Sequence, residues 1–286
     1  MPVAAVQDFR VGWGPCAVAW RLEDPALADA LAGQWRPHLL PSGPVDLTVL
    51  AEPADLVCGS DARSTRPMRV TPLAGVDGFR IRFGNLLEVC WQPACSDVAW
   101  RYERTLCVHD AAGVFEQGAC RFLSSWLASR GLALLHACAI VTDEAADLFI
   151  GPSGEGKSTV AASVSPARVV HDDTVICERR ADGLWVAQAP WCAARWATQA
   201  GRAWPVGRLL LLRKDGGAEC RRVPAVDALH QLWQPAQTGV PGLPVWPQQR
   251  LALLSALVER HAAYRLRYRL GVDDPWSLMA GAAQDG

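Results

Sequence analysis

An α/β fold is predicted for this 286-residue chain, and three observations predict it. From about residue 130 onward, short apolar runs of β character alternate with amphipathic stretches at helical spacing, the order that builds a sheet covered by helices. A glycine-rich segment, Gly151-Pro152-Ser153-Gly154-Glu155-Gly156-Lys157-Ser158-Thr159, falls between one such strand and one such helix. Ahead of it, residues 1–115 carry strand and turn signals and form a smaller β-rich region, with 116–286 as the second domain.

The elements follow from local chemistry. In the first region a short helix is expected from Pro25 to Ala32, ended by Gly33. After an Asp77-Gly78 turn, Phe79, Ile81 and Phe83 alternate with Arg80 and Arg82 as a half-buried strand, and Leu86 to Trp91 reads as its neighbour. Phe122, Leu123, Trp126 and Leu127 share one face of a helix predicted from Glu116 to Arg130, capped by Gly131. Leu132 to Val141 reads as one apolar strand containing His136, and Asp147 to Ile150 as the strand that delivers the glycine segment. A helix from Lys157 to Ser165 is closed by Pro166, and Arg168 to Val170 is a strand ending in His171-Asp172-Asp173. Leu209–Leu212 and Cys220–Val223 are expected to form a hairpin about Asp215-Gly216-Gly217. Helices are expected at Ala225–Trp233 and Gln248–His261, then a last strand in which Tyr264, Leu266, Tyr268 and Leu270 alternate with arginines.

Composition narrows the function classes. Half the residues are hydrophobic and 20% are charged, which suits a globular fold with a sizeable core. The formal net charge of −1 gives no bulk attraction to nucleic acid or an anionic membrane, and no window approaches 18 uninterrupted apolar residues. No basic n-region precedes an apolar stretch at the start, so a cytoplasmic protein is expected. None of the ten cysteines form a C-x-x-C pair, which argues against a zinc ribbon, and Cys138 and Cys177 sit in apolar runs as small hydrophobes. The thirteen tryptophans are expected chiefly as packing residues.

Residues Gly151 to Ser158 match G-x-x-x-x-G-K-[ST] at every fixed position. In that pattern glycines let backbone N–H groups converge on phosphate oxygens, the lysine reaches the outer phosphates, and the hydroxyl ligates Mg²⁺. Of 28 basic residues only Lys157 and Lys214 are lysines, leaving 26 arginines. A loop wrapped on phosphate has room for a compact ammonium and not for a planar fork, which accounts for the lysine at 157. Asp172 and Asp173 follow fifteen and sixteen residues later, where the chain has climbed the helix and returned along an adjacent strand. Two such carboxylates can divide the labour, one toward Mg²⁺ and one as base for an attacking hydroxyl. His136 alone would more often be a packed core histidine. Its strand directly precedes the one feeding the loop, so it can approach a transferred phosphate.

These three elements in this order resemble the C-terminal catalytic domain of the HPr kinase/phosphorylase family, whose fold is shared with phosphoenolpyruvate carboxykinases. The matching pieces are Leu135-His136, Gly151 to Thr159 and Val170 to Thr174, with Ala189-Pro190-Trp191 and Leu209–Leu212 similar to shorter HPr-kinase-related proteins. The resemblance covers about residues 130–275 and implies a mixed sheet with helices as catalytic core. It implies that residues 151–159 bind ATP, that Lys157 contacts the β- and γ-phosphates, and that Ser158 and Asp173 hold Mg²⁺. It further implies Asp172 as base and His136 as a phosphate contact. The glycine-rich signature that HPr kinases carry beyond the aspartates is absent, His171 stands where an apolar or small residue is usual, and residues 1–115 show no likeness to the HPr-kinase N-terminal domain. Phosphorylase activity, HPr as acceptor and a hexamer are therefore not carried over, although a homo-oligomer is compatible.

The expectation is an ATP- and Mg²⁺-dependent kinase acting on a hydroxyl, a serine of a protein or ribosomal peptide, with the β-rich region as docking surface and neither nucleic acid nor membrane as partner. Two rivals stay open: a small-molecule phosphotransferase, disfavoured by the scarcity of lysine outside the loop, and a non-catalytic nucleotide-binding regulator. The regulator would be favoured if Asp172 and Asp173 pointed away from the loop. Arg195 and Arg213 are weaker candidates for stabilising a transferring phosphate. The Tyr–Arg alternation at 264–269 is a half-exposed strand before it is an RNA platform, and no G-x-S-x-G supports a serine hydrolase.

Overall fold

Among the described residues seven strands form one sheet and nine form another, giving an α/β chain with two mixed sheets and covering helices. The computed structural model describes residues 7–57, 64–189, 194–214, 217–233, 239–240, 243, 247–269 and 271–282. By its contacts the chain divides into Met1–Trp126 with Thr238–Val245, and Leu127–Gln237 with Trp246–Gly286. The boundary expected at 115/116 falls inside a helix that runs longer than expected, Val108–Ser129.

The first unit holds β1 (Gln7–Trp13), β2 (Cys16–Leu22), α1 (Pro25–Gln34), β3 (Leu47–Ala54), β4 (Met68–Pro72), β5 (Phe79–Phe83), β6 (Leu87–Trp91), β7 (Asp97–Glu103) and α2 (Val108–Ser129). Helix α1 starts as expected, with the Asp24 carboxylate accepting the N–H groups of Ala26 and Leu27, but it continues through Gly33 to Gln34. The strand order is β1-β2-β3-β7-β6-β5-β4, with β2-β3 and β3-β7 parallel and the other pairs antiparallel. Trp13, Trp20, Trp35, Trp91 and Trp100 are fully buried, and Trp20 packs with its ring centre 5.0 Å from Trp35 and 5.2 Å from Trp100. Trp91 meets Phe122 of α2 edge-on at 5.4 Å. These tryptophans are core, as their composition suggested.

Glu103, buried at the end of β7, ties down the chain around it. Its Oε2 accepts the N–H groups of Leu56 and Val57, both at 2.7 Å, and its Oε1 accepts the Thr105 hydroxyl at 2.8 Å. Burial pushes this carboxyl up, but the hydrogen bonds from Val57, Thr105 and Leu56 outweigh it and hold the pKa at about 2, against an ordinary 4.5. Between those values the unfolded chain binds more protons, so the stabilisation is complete above pH 4.5 and is lost as pH falls toward 2. Glu103→Gln is expected to lose about 2–3 kcal/mol at neutral pH and to flatten the acid limb of stability. Urea denaturation of both proteins from about pH 6 to about pH 2.5 checks this.

The second unit holds β8 (Ala133–Leu135), β9 (Ala137–Thr142), β10 (Ala145–Ile150), α3 (Lys157–Ala162), β11 (Val169–His171), β12 (Val175–Arg180), β13 (Gly183–Gln188), β14 (Ala203–Arg213), β15 (Glu219–Arg222), α4 (Ala225–Trp233), α5 (Pro247–Arg260), β16 (Ala263–Arg267) and α6 (Pro275–Ala282). The order β11-β9-β10-β14-β13-β12-β8 is extended by β16, which pairs in parallel with β14 and antiparallel with β15. Alternation sorts side chains to two faces. Ala137, Ala139, Leu148, Ile150, Leu209 and Leu211 pack with Leu232 of α4 and Leu254 and Leu257 of α5. Cys138, Ile140, Phe149, Leu210 and Leu212 pack with Val160 of α3 and Met279 of α6. Coverage on both faces is why β9, β10 and β14 read as continuous apolar runs.

Three expectations are corrected. The strand expected over 132–141 is two strands: β8 pairs with β12, β9 pairs with β10 and β11, and His136 stands in the break. The hairpin of 209–212 with 220–223 does not form, because β16 inserts between β14 and β15 and takes the hydrogen bonds of both. Helix α3 ends at Ala162 rather than Ser165, with Ser163 as its C-cap. The turn at Asp215 and Gly216, Pro190-Trp191, the Arg195 side chain and Leu270 lie outside the described residues. Eight cysteines in the described residues are free, and burial pushes the Cys177 thiol up to about 12, in keeping with inert packing. No helix among the described residues is long and apolar enough to cross a membrane.

Candidate functional site

Strand direction brings the candidate residues together. β14 runs parallel to β10 with Ile150 opposite Leu211, and β16 runs parallel to β14 with Arg213 opposite Arg267. β9 is antiparallel to both β10 and β11, so the start of β9 and the ends of β10, β11, β14 and β16 lie at one edge of the sheet. His136, Gly151, Asp172-Asp173, Lys214 and Tyr268 therefore leave the sheet on the same side. In open α/β sheets, ligands bind beyond the carboxyl ends of the parallel strands.

Backbone geometry shapes the loop. Gly154 and Gly156 adopt φ of +86° and +98°, a left-handed conformation that costs other residues a Cβ clash. Lys157, a residue 6% exposed, folds its ammonium back to donate to the carbonyls of Gly151 at 2.7 Å and Pro152 at 3.0 Å. Of its three donors one is engaged by neither carbonyl. Burial pushes this ammonium below its ordinary pKa, while Asp173 and Glu155 pull it back. The loop is held from outside by two residues without an expected role. The Tyr268 hydroxyl donates to Gly156 O at 3.2 Å, and burial pushes that phenol up to about 12. Lys214 donates from Nζ to Gly154 O at 3.0 Å and from its backbone N–H to Glu155 Oε2 at 2.8 Å. Both lysines of the chain thus grip one loop. Their scarcity was the signal that could have found Lys214; nothing in the sequence marked Tyr268.

A cavity of about 210 Å³ opens between the loop residues Ser153 to Thr159 and a wall made by His136 and Asp173. That is less than the ~300 Å³ lower end for drug-sized ligands, so the enclosed part suits a phosphate chain rather than a whole nucleotide. Asp173 accepts from His136 Nδ1 at 3.1 Å on Oδ1 and from the Thr174 hydroxyl at 2.8 Å on Oδ2. The His136 hydrogen bond is the main reason its pKa falls to about 2. A carboxylate held there is anionic at all working pH values and is a poor proton acceptor. Asp172 does not line the cavity; its side chain is 14% exposed and its Oδ1 lies 3.8 Å from His171 Nδ1.

His171 explains how the pair is presented. Its ring is buried, and Nδ1 accepts the backbone N–H groups of Asp173 at 2.9 Å and Thr174 at 3.0 Å. Accepting two donors at Nδ1 requires the neutral ring with its proton on Nε2, and burial correspondingly pushes its pKa down to about 4. An apolar residue at 171 would leave those two N–H groups without the acceptor. His171→Leu is expected to destabilise the chain by about 2–3 kcal/mol and to lower transfer activity through displacement of Asp173. Chemical denaturation and a steady-state rate measured on the same preparation check both halves.

Ser158, Thr159 and Asp173 face one cavity, and among the described residues no three His, Cys, Asp or Glu side chains gather to hold a metal. That donor set does not provide for a resident metal. It fits Mg²⁺, which is commonly bound by one or two protein oxygens together with substrate phosphates.

No family model and no curated protein matches the sequence. Among solved structures, the HPr(Ser) kinase/phosphatase from Coxiella burnetii is similar over 53% of this chain and 91% of that chain, at 12% identity and a TM-score of 0.30. A likeness that slight decides neither topology nor chemistry, so the function rests on the site itself.

Proposed function

We propose that this protein is a nucleotide-dependent phosphotransferase that moves the γ-phosphate of ATP to a hydroxyl, a serine of a protein or peptide. The observation that carries the reading is the facing of two walls across one cavity: a glycine loop with a buried lysine, and the His136–Asp173 pair. A loop that only bound nucleotide would need no carboxylate–imidazole pair opposite it, which favours transfer over a purely regulatory role.

The phosphates lie along residues 153–159, where backbone N–H groups and the Lys157 ammonium neutralise charge that spreads over the equatorial oxygens in the transition state. Ser158 and Asp173 would hold Mg²⁺, which supplies further neutralisation of the phosphate oxygens. The acceptor hydroxyl attacks the γ-phosphorus in line, its proton passes to His136 Nε2, and the bond to the β,γ-bridging oxygen breaks to release ADP. Asp173 orients that imidazole through Nδ1–H. We assign the proton-accepting role to His136 rather than to Asp172, since it is His136, with Asp173, that faces the loop across the cavity, while Asp172 Oδ1 lies 3.8 Å from His171 Nδ1.

The test is calorimetric titration with Mg·ATP, followed by incubation with γ-labelled ATP and a panel of serine-containing peptides. Saturable binding and label on a serine are expected. Absence of binding by the wild-type protein would remove the reading altogether.

A further inference from the structure

Across one face of the first unit's sheet, directly opposed residues form a charged row over five strands. Glu52 on β3 lies opposite Arg101 on β7, Arg101 opposite Glu88 on β6, Glu88 opposite Arg82 on β5, and Arg82 opposite Arg69 on β4. The signs alternate until the last step. Arg101 lies 3.2 Å from Glu52 and 3.6 Å from Glu88, and Arg82 lies 3.5 Å from Glu88. Arg82 and Arg69 are then two cations side by side on the outermost strand pair. Like charges directly opposite on a sheet are destabilising, so the row ends with an unmet demand for an anion.

That end of the row is concave. A cavity of about 590 Å³ is lined, among the described residues, by Arg66, Arg69, Arg80 and Arg82 with Glu88 as the single acid, so these lining side chains sum to +3 in a chain whose formal net charge is −1. Glu88 is shared among three guanidinium groups, with Arg80 at 3.8 Å the farthest. Among the described residues Arg66 and Arg69 have no acid partner, and Arg82 reaches Glu88 only through Nε at 3.5 Å, a long ion pair rather than a close hydrogen bond. The rim is built: Ser64 N–H donates to Asn85 Oδ1 at 2.9 Å, Asn85 N–H returns to Ser64 O at 3.0 Å, and Gly84 N–H reaches Pro67 O at 3.1 Å. A Cβ on Gly84, at φ +57°, would come 1.7 Å from Ser64 O, so only glycine lets the rim close against the turn.

We propose that β4 takes an acidic peptide segment as an added strand, with a carboxylate seated between Arg69 and Arg82 and flanked by Arg66 and Arg80. β4 is the terminal strand of its sheet and, among the described residues, pairs only with β5, leaving its other edge for main-chain hydrogen bonds. Arg69 and Thr71 point to the cavity face, so an added strand presents alternate side chains to the arginines. Among the described residues no aromatic side chain lines the cavity to stack a base, which favours a peptide over a nucleic acid. That this segment belongs to the phosphate acceptor rests on the phosphotransferase reading; the docking itself does not.

The experiment is fluorescence anisotropy of a fluorescein-labelled peptide of alternating Glu and Val or Thr, titrated with the full chain. A peptide with Gln for every Glu and a single-stranded oligonucleotide serve as competitors. Saturable binding is expected for the Glu peptide, weakened about tenfold or more by Arg69→Glu and by Arg66→Glu, with the Arg69→Glu protein gaining affinity for a Lys-for-Glu peptide. No binding, equal binding of the Gln peptide, unchanged affinity in both variants, or stronger competition by the oligonucleotide would each overturn the proposal and leave the arginines as guards of an exposed sheet edge. Mg·ATP titration on the same samples separates the two readings. Lost docking with intact nucleotide binding removes only the docking claim. Docking retained by a wild-type protein that binds no nucleotide removes the phosphotransferase reading and keeps the peptide site.

Discussion

Lys157→Ala is expected to eliminate measurable Mg·ATP binding and, with it, all phosphate transfer. Among the described residues the ammonium is the one buried cation in the loop cavity, and it has a third N–H beyond the two that hold the carbonyls at 2.7 and 3.0 Å. Each charge-assisted hydrogen bond to phosphate contributes about 1.5–3 kcal/mol. Losing two such contacts weakens binding by roughly 10²–10⁴. The alanine also deprives Gly151 O and Pro152 O of their donor, loosening the loop in the same direction. Lys157→Arg is expected to fail too, since a residue 6% exposed inside a close-fitting loop has no room for a planar fork. Calorimetric titration of the three proteins checks this, and an alanine variant that binds Mg·ATP like the wild type would refute the phosphate-site reading.

The second large effect is expected at Asp173. Asp173→Asn should lower the transfer rate by about 10²–10⁴ while weakening Mg·ATP binding far less than Lys157→Ala does, since Asp173 would supply one of several oxygens around Mg²⁺. The substitution removes the carboxylate that accepts from His136 at 3.1 Å, so the ring loses its orientation and the cavity its anion. Asp172→Asn should cost less than about tenfold, because that carboxylate does not line the cavity. Single-turnover transfer by the two variants decides between them. A larger loss at Asp172 would return the base to that residue and sink the assignment to His136. With Asp173 held at about 2, a rate limb observed above about pH 4 belongs to another group.

Much of this site was legible in the sequence because its parts are local. The loop at 151–158 is a contiguous pattern in which each fixed position has its own steric or charge reason, and the φ of +98° at Gly156 supplies the reason for one of them. The Asp172-Asp173 pair was legible because a strand–loop–helix–strand path returns the chain to its starting edge. The division of labour within the pair was not. Which carboxylate faces the cavity depends on how the turn after β11 is pinned, and that is done by His171 accepting from Asp173 and Thr174. Alternation also identified β5, but not that Arg82 would stand opposite a second arginine, since register across strands is a tertiary property.

The sequence by itself determined the α/β class, the glycine loop with its lysine, and the presence of His136 and the aspartates as candidates, because composition, periodicity and contiguous motifs act within a few residues. Only the tertiary structure decided that His136 sits in a break between two strands, that Lys214 and Tyr268 close on the loop, and that β16 separates β14 from β15. Those outcomes depend on which strands pair, and pairing is selected by burial of whole faces against helices far along the chain, a preference that no local window of sequence contains.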